Sequence, residues 1–353
     1  MAVTLKELLT IAIQKKASDL HINAHIPPTI RVDGSLVPID QPPLSEENAM
    51  AICQECLTQE QVMRFEQERS IDLSFGIDGL ARFRANIYWA LGSVSGAFRA
   101  IPYVLPSAKT LGLPDVAIDL TKRPRGLVLV TGQTGSGKST TLAALLNLIN
   151  ETEAHHIITI EDPIEYYFTQ KKSVIHQREI GRDASSFQSA LKHILRQDPD
   201  VVMIGEMRDL ETIQNAITIA ETGHLVFATL HTNTADQTID RIIDVFPPHQ
   251  QPQIRTELSF ILQGILCQQL LPKKNGGRAL AMEIMIPTSA IRNLIREGKT
   301  HQIYAQMQMG QRESGMRTMD QALAQLVKDG LIAREEALGM AINHDELTKM
   351  LDG

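Results

Sequence analysis

Aromatic residues are scarce: they make up 4% of the 353 residues, with a single tryptophan, Trp89. That leaves little from which to build a base-stacking platform for single-stranded nucleic acid. Positive charge is not in excess either. Lys and Arg number 34 against 41 Asp and Glu, a net charge of −7, whereas a nucleic-acid binder carries a basic footprint. No nucleic-acid partner is expected. Cysteine is limited to Cys53, Cys56 and Cys267, which supply neither a disulfide framework nor four zinc ligands, so no zinc site is expected. The C-x-x-C pair at 53 and 56 has helical spacing and is expected to pack inward. No run approaches the ~18 uncharged apolar residues of a membrane span. Lys6 and Glu7 interrupt the apolar N-terminal stretch, so no signal peptide is expected and the cytoplasm is the expected compartment.

What is present is an ordinary globular composition, 43% apolar and 21% charged. Its length suits roughly two domains at about 150 residues each. Leu5, Leu8, Leu9 and Ala12 recur at helical spacing. Short apolar segments containing Ile22, Ile30, Val32 and Leu36 follow, broken by Pro27, Pro28 and Gly34. They read as strands and turns. Residues 45–70 read as helical and 71–101 alternate again, completing a small α+β domain over 1–101. The proline-bearing stretch 102–115 reads as a linker. Beyond it, over 116–353, strands expected at 126–131, 156–160, 201–204 and 225–229 alternate with helices. That is the pattern of a mostly parallel α/β sheet. Helices are expected at 253–267, 288–298 and 317–349, giving a helical C-terminal region over about 288–353.

Gly132-Gln133-Thr134-Gly135-Ser136-Gly137-Lys138-Ser139-Thr140 fits the phosphate-loop pattern between an expected strand and an expected helix. Glycines there let backbone N–H groups close on a β-phosphate, and the helix N-terminus adds partial positive charge. Lys138 would reach the β/γ oxygens and Ser139 would ligate Mg²⁺. Glu206, two residues past the apolar run Val201–Ile204, is a candidate to polarise the attacking water or hold the metal's water shell. Glu161, Asp162 and Glu165 follow another expected strand, at the edge where open α/β sheets place ligands. They suit positioning water or neutralising Mg²⁺, although Asp162 before Pro163 also reads as a helix N-cap. His224 and His231 flank a strand. Seven residues at about 3.3 Å separate them by roughly 23 Å, so both cannot touch one γ-phosphate. His231, at the carboxyl end, reads as the phosphate sensor and His224 as a structural or inter-subunit residue. Arg82 and Arg84 alternate about Phe83 and so share a strand face, and Arg99 lies on a further strand. They serve either a transferring phosphoryl group or a solvated face. In Ala290–Glu297, Ile291, Leu294 and Ile295 form one face of an amphipathic helix, and Arg292 and Arg296 lie a turn apart on another.

These segments resemble the secretion-superfamily ATPases. The carrying residues are ASDLHI (17–22), GQTGSGKST (132–140), TIEDPIEY (159–166), LRQDPDVVMIGEMRD (195–209), GHLVFATLHTNTA (223–235) and AIRNLIRE (290–297). The last points to the branch that retracts type IV pili. The resemblance implies a PAS-like N-terminal domain followed by a RecA-like ATPase domain, and a homohexameric ring using ATP and Mg²⁺. It implies that Glu206 is the Walker B carboxylate, that Glu161, Asp162 and Glu165 form the acidic box, and that His231 belongs to a histidine box with His224. Arg82, Arg84 and Arg99 would face phosphate. Metal contacts would come from Ser139, Glu206 and Asp162. An inner-membrane platform protein and a paralogous retraction ATPase are the implied partners, which places the chain peripherally at the inner membrane. The extension and type II secretion branches usually carry an extra N-terminal domain and a four-cysteine zinc insertion, and neither is expected here. An accessory retraction ATPase, a pilus or type II secretion extension ATPase, a DNA-translocating ATPase and a non-hydrolysing nucleotide-gated regulator are the other readings.

Overall fold

The computed structural model describes residues 3–32, 34–101, 105–309 and 314–352. The chain divides into two compact units, Met1–Val104 with Pro163–Tyr167, and Leu105–Asp162 with Phe168–Gly353. Residues 102–104 of the expected linker lie outside the described residues. The rest of that stretch belongs to the second unit, because Ala108 and Leu113 are buried in its core. Pro163–Tyr167, expected in the larger domain, groups instead with the first unit, where the Tyr167 ring lies 3.7 Å below the Arg82 guanidinium.

The first unit is an antiparallel sheet of β1 (Asp19–Ile22), β2 (Thr29–Val32), β3 (Ser35–Pro38), β4 (Ser70–Ile77), β5 (Ala81–Ala90) and β6 (Ser93–Ile101), in the order β3-β2-β1-β6-β5-β4. In β5, Ala81, Phe83, Ala85 and Ile87 enter a core shared with Leu8, Leu20, Phe65 and Phe98. The alternate positions, Arg82 and Arg84 among them, take the other face. Helix Leu5–Gln14 begins in a capping box between Thr4 and Glu7. The helical stretch expected over 45–70 is two helices, Glu46–Gln54 and Gln59–Glu68, because Thr58 and Gln61 form a second capping box. Cys53 is buried, and Cys56 packs partly buried against the same core.

Among the described residues the second unit carries a seven-stranded sheet: β7 (Gly126–Thr131), β8 (His156–Glu161), β9 (Val174–Glu179), β10 (Val201–Ile204), β11 (Leu225–Leu230), β12 (Leu262–Pro272) and β13 (Arg278–Met285). Their order is β13-β12-β7-β11-β10-β8-β9, parallel throughout except that β13 runs antiparallel to β12. Successive residues of the central strands enter two different cores. Leu127, Leu129, Val202, Ile204, Val226 and Ala228 face one, and Val128, Val130, Val201, Met203, Leu225 and Phe227 face the other. Burial on both faces is why these strands read as unbroken apolar runs. The fold is the expected α/β arrangement, a small sheet domain followed by a RecA-like sheet and a helical C-terminal region.

One expected helix is half wrong. Residues 253–267 split into helix Gln251–Ile261 and the start of β12, with the break at Leu262. Leu258, Leu262 and Ile265 mimic helical spacing, but β12 is buried between β7 and β13, where both faces of a strand are apolar. The expected helical stretch 317–349 is three helices, Met319–Lys328, Arg334–Gly339 and His344–Asp352.

Asp320 holds this last region together. It is fully buried and accepts hydrogen bonds from the Ile342 N–H (2.8 Å), the Asn343 N–H (2.9 Å) and the Tyr304 hydroxyl (3.2 Å). Asp320→Ala would take this acceptor from the Ile342 and Asn343 N–H groups, while the Tyr304 hydroxyl keeps Glu346 at 3.0 Å, at a cost of about 2 kcal/mol. A clear fall in the urea midpoint is expected, and an unchanged midpoint would remove Asp320 from this role.

Candidate functional site

The carboxyl ends of the parallel strands carry the site. After β7 the chain turns through Gly132, Gly135 and Gly137 with φ of 139°, 83° and 91°, values that L side chains rarely adopt. A side chain at Gly132 would also meet the Gln268 carbonyl oxygen at 2.4 Å. Helix Lys138–Thr152 then starts on an N-cap, Gly137, that has no side chain to cap the first-turn N–H groups. Those donors, with the helix dipole, suit an anion. Lys138 is buried at the helix start, and its ammonium donates to the carbonyls of Gly132 (2.7 Å) and Gln133 (3.1 Å). Ser139 follows, half-buried.

Glu206 lies beyond β10, one residue after Gly205. The Gly205 N–H donates to the Ile160 carbonyl at 2.8 Å. A Cβ on Gly205 would sit 3.1 Å from that oxygen and 3.3 Å from the Glu161 Cα. Both contacts are tight, so a side chain here would require the end of β8 to shift by a few tenths of an ångström. Thr229, at the end of β11, donates its hydroxyl to the Gly205 carbonyl, and the Met207 N–H returns a bond to the Thr229 carbonyl at 3.1 Å. The turn is thereby clamped from both neighbouring strands. Arg208 curls back to Glu206 with Nε and Nη2 each 2.7 Å from a carboxylate oxygen, and His231 Nε2 lies 3.0 Å from Oε1. Burial by itself would raise the Glu206 carboxyl. The Arg208 hydrogen bond and the charges of Arg208, His231 and Lys138 outweigh it and hold the pKa below the ordinary 4.5.

The acidic box divides. Glu161 is buried, and its Oε1 accepts the Thr159 hydroxyl at 2.6 Å and the Gln177 amide at 3.2 Å. Asp162 is exposed and is not a helix N-cap, because no helix follows it. It acts electrostatically on Arg208. Glu165 is half-buried and belongs to the first unit. In that unit Arg84 and Arg99 stand directly opposite each other on β5 and β6, with Arg82 two residues along the same face. Arg99 donates to Asp19 at 2.8 Å, Arg84 lies 4.0 Å from Asp72, and Arg82 stacks on Tyr167.

A model of the family described as type II/IV secretion system protein matches residues 1–276. The chain belongs to this family. Among its curated relatives, the type IV pilus retraction ATPase PilT of Pseudomonas aeruginosa is 49% identical over 331 residues, covering 94% of this chain and 96% of PilT. The type IV pilus ATPase PilU of the same organism is 39% identical over 347 residues, covering 98% of this chain and 91% of PilU. A crystal structure of the pilus retraction motor PilT with bound ADP matches with a TM-score of 0.92 at 50% identity, covering 98% of this chain and 99% of that one.

In this member of the family, His224 and His231 sit at opposite ends of β11. His224 Nδ1 lies 3.1 Å from both the Ile219 carbonyl and the Thr222 hydroxyl, closing the end of helix Leu210–Glu221. AIRNLIRE falls on helix Ser289–Glu297, and its two arginines differ. The Arg292 guanidinium binds the carbonyls of Ser259, Phe260 and Leu262, and so caps helix Gln251–Ile261. Arg296 lies over the exposed Phe260 ring. Sequence reasoning gave no role to Arg208, Thr229 or Asp209. Asp209 caps helix Leu210–Glu221 through the Thr212 N–H at 2.9 Å. Its signal, Asp three residues before Thr at the start of an apolar-periodic stretch, was available.

A carboxylate with a lowered folded pKa stabilises the fold above its unfolded pKa and loses that contribution as pH falls through the folded value. Arg208→Ala removes the main force opposing burial at Glu206. The Glu206 titration, followed by carboxylate NMR, is therefore expected to move upward, and acid unfolding to begin at higher pH. A downward move would mean that Arg208 does not hold this group.

Proposed function

We propose that this chain is a Mg²⁺-dependent ATP hydrolase that works as a homohexameric ring and powers retraction of type IV pili, and with it twitching motility. The observation that carries the reading is the 49% identity to a retraction ATPase across 94% of the chain. The turn at 132–140 and the cation-held Glu206 lie within that span. In this reading Gly132–Thr140 cradle the phosphates of ATP, with the N–H groups after Gly137 donating to them. Lys138 exchanges its carbonyl partners for β/γ oxygens. Glu206 orients the attacking water, and His231 reports on the γ-phosphate through its contact with Glu206. Glu161 and Glu165 order the water around the site, while Arg82, Arg84 and Arg99 offset charge on the transferring phosphoryl group.

The donors near the phosphate turn are hard oxygens, the Ser139 hydroxyl with the Asp162 and Glu206 carboxylates, which suit Mg²⁺. Among the described residues no group of three His, Cys, Asp or Glu side chains could hold a metal alone. Ser139 and nucleotide oxygens would therefore hold it, with Asp162 and Glu206 acting on its water shell. When bound, Mg²⁺ neutralises the β/γ oxygens.

Among the described residues no helix is long and apolar enough to cross a membrane. The chain would reach the inner membrane through a platform protein at the pilus base, on its cytoplasmic face, with a paralogous retraction ATPase as a further partner.

Lys138→Ala is expected to abolish ATP turnover, and unchanged turnover would sink the assignment. Glu206→Gln should cut kcat by at least about a hundredfold. In cells whose only copy carries Glu206→Gln, many surface pili without twitching are expected. A bald cell would mean an extension motor, and normal pili with normal twitching an accessory role.

A further inference from the structure

Glu283 lies in β13 directly opposite Cys267 on β12, almost fully buried. A carboxylate persists in such a place only when its hydrogen bonds compensate for the water it has lost. Here both oxygens are used, each by the start of a different helix. Oε1 accepts the Ala235 N–H at 2.8 Å, and Oε2 accepts the Met319 N–H at 3.2 Å. These are the first residues of helices Ala235–Asp244 and Met319–Lys328. The N-cap of the former, Thr234, does not cap it: among the described residues its buried hydroxyl has no partner. Glu283 does that work from another strand, and two helix dipoles present their positive ends to it.

The two helices lead to different places. Ala235 is four residues past His231, which touches Glu206. Met319 is one residue before Asp320, which holds the Ile342 and Asn343 N–H groups. The Met319 side is fixed to β13 by paired Ile284 and Arg317 backbones (2.9 and 3.1 Å) and by the Arg317 Nε–Met282 carbonyl bond at 2.7 Å.

We propose that Glu283 is a positioning residue that ties the His231 segment to the C-terminal helices, so that the two gain and lose order together. Its effect on turnover rests on the ATPase reading; the tie itself does not. The balance at this carboxyl is fine: burial pushes it up to about 7, with the Ala235 and Met319 N–H groups pulling down and Asp236 pushing up. Losing either donor drives it further toward the neutral form, a weaker acceptor for the other.

The test uses the full chain and reads amide hydrogen exchange at 231–240 and 317–326 together with ATPase kinetics. In Glu283→Gln, whose side chain offers a single acceptor oxygen, both segments should exchange about tenfold faster while 138–152 is unchanged. The kcat should fall about tenfold with KM for ATP held within about twofold. Ala235→Pro is the second variant. It deletes one donor at a first-turn position that tolerates proline, and faster exchange at 317–326 is expected there too. A change in one segment only, or in neither, overturns the tie. An unmoved kcat with both segments loosened leaves Glu283 a structural cap and overturns its positioning role. A wild-type chain that turns over no ATP defeats the ATPase reading, and the exchange still decides the tie.

Discussion

Alternate side chains of the central parallel strands enter two different hydrophobic cores. With both faces spent on packing, chemistry has no room along the strands and collects at their carboxyl ends. There Gly132, Glu161, Gly205 and His231 follow β7, β8, β10 and β11 or close them. Parallel pairing puts those ends on one edge, and the register of Ile204 against both Ile160 and Ala228 sets their height. Gly205 completes the constraint. Its N–H bonds the Ile160 carbonyl and its missing side chain spares the end of β8 a tight contact, which holds the turn carrying Glu206 against β8.

From that point electrostatics governs. Glu206 is partly withdrawn from water, a situation that favours its neutral form. Arg208, His231 and Lys138 reverse that preference. Only one of the three groups neighbours Glu206 in sequence. The others arrive from the end of β11 and from the start of helix Lys138–Thr152. In the proposed reading, a carboxylate kept ionised near a glycine-rich turn suits phosphoryl transfer to water.

The first unit shows the same logic on an antiparallel sheet. Strand alternation buries Phe83 and Ile87 and leaves the opposite face to Arg82, Arg84 and Arg99. Three guanidinium groups on one face repel one another. Asp19, Asp72 and the Tyr167 ring each engage one of them.

Local chemistry was legible in the sequence wherever the physics is local. Glycine placement announced the turn after β7, apolar continuity announced β7, β8, β10 and β11, and alternation placed Arg82 and Arg84 on one face. The sequence was misleading or silent where the answer depends on residues far away in the chain. Leu258, Leu262 and Ile265 carry a helical period, yet Leu262 starts a strand because β7 and β13 pair with it. Asp162 before Pro163 reads as a helix cap, yet no helix follows. Glu283 drew no reading from the sequence, because only the assembled core brings it the Ala235 and Met319 N–H groups. Period, turn and cap are set within a few residues and can be read from them; strand partners, buried-charge compensation and helix ends capped from another strand exist only once the cores have closed.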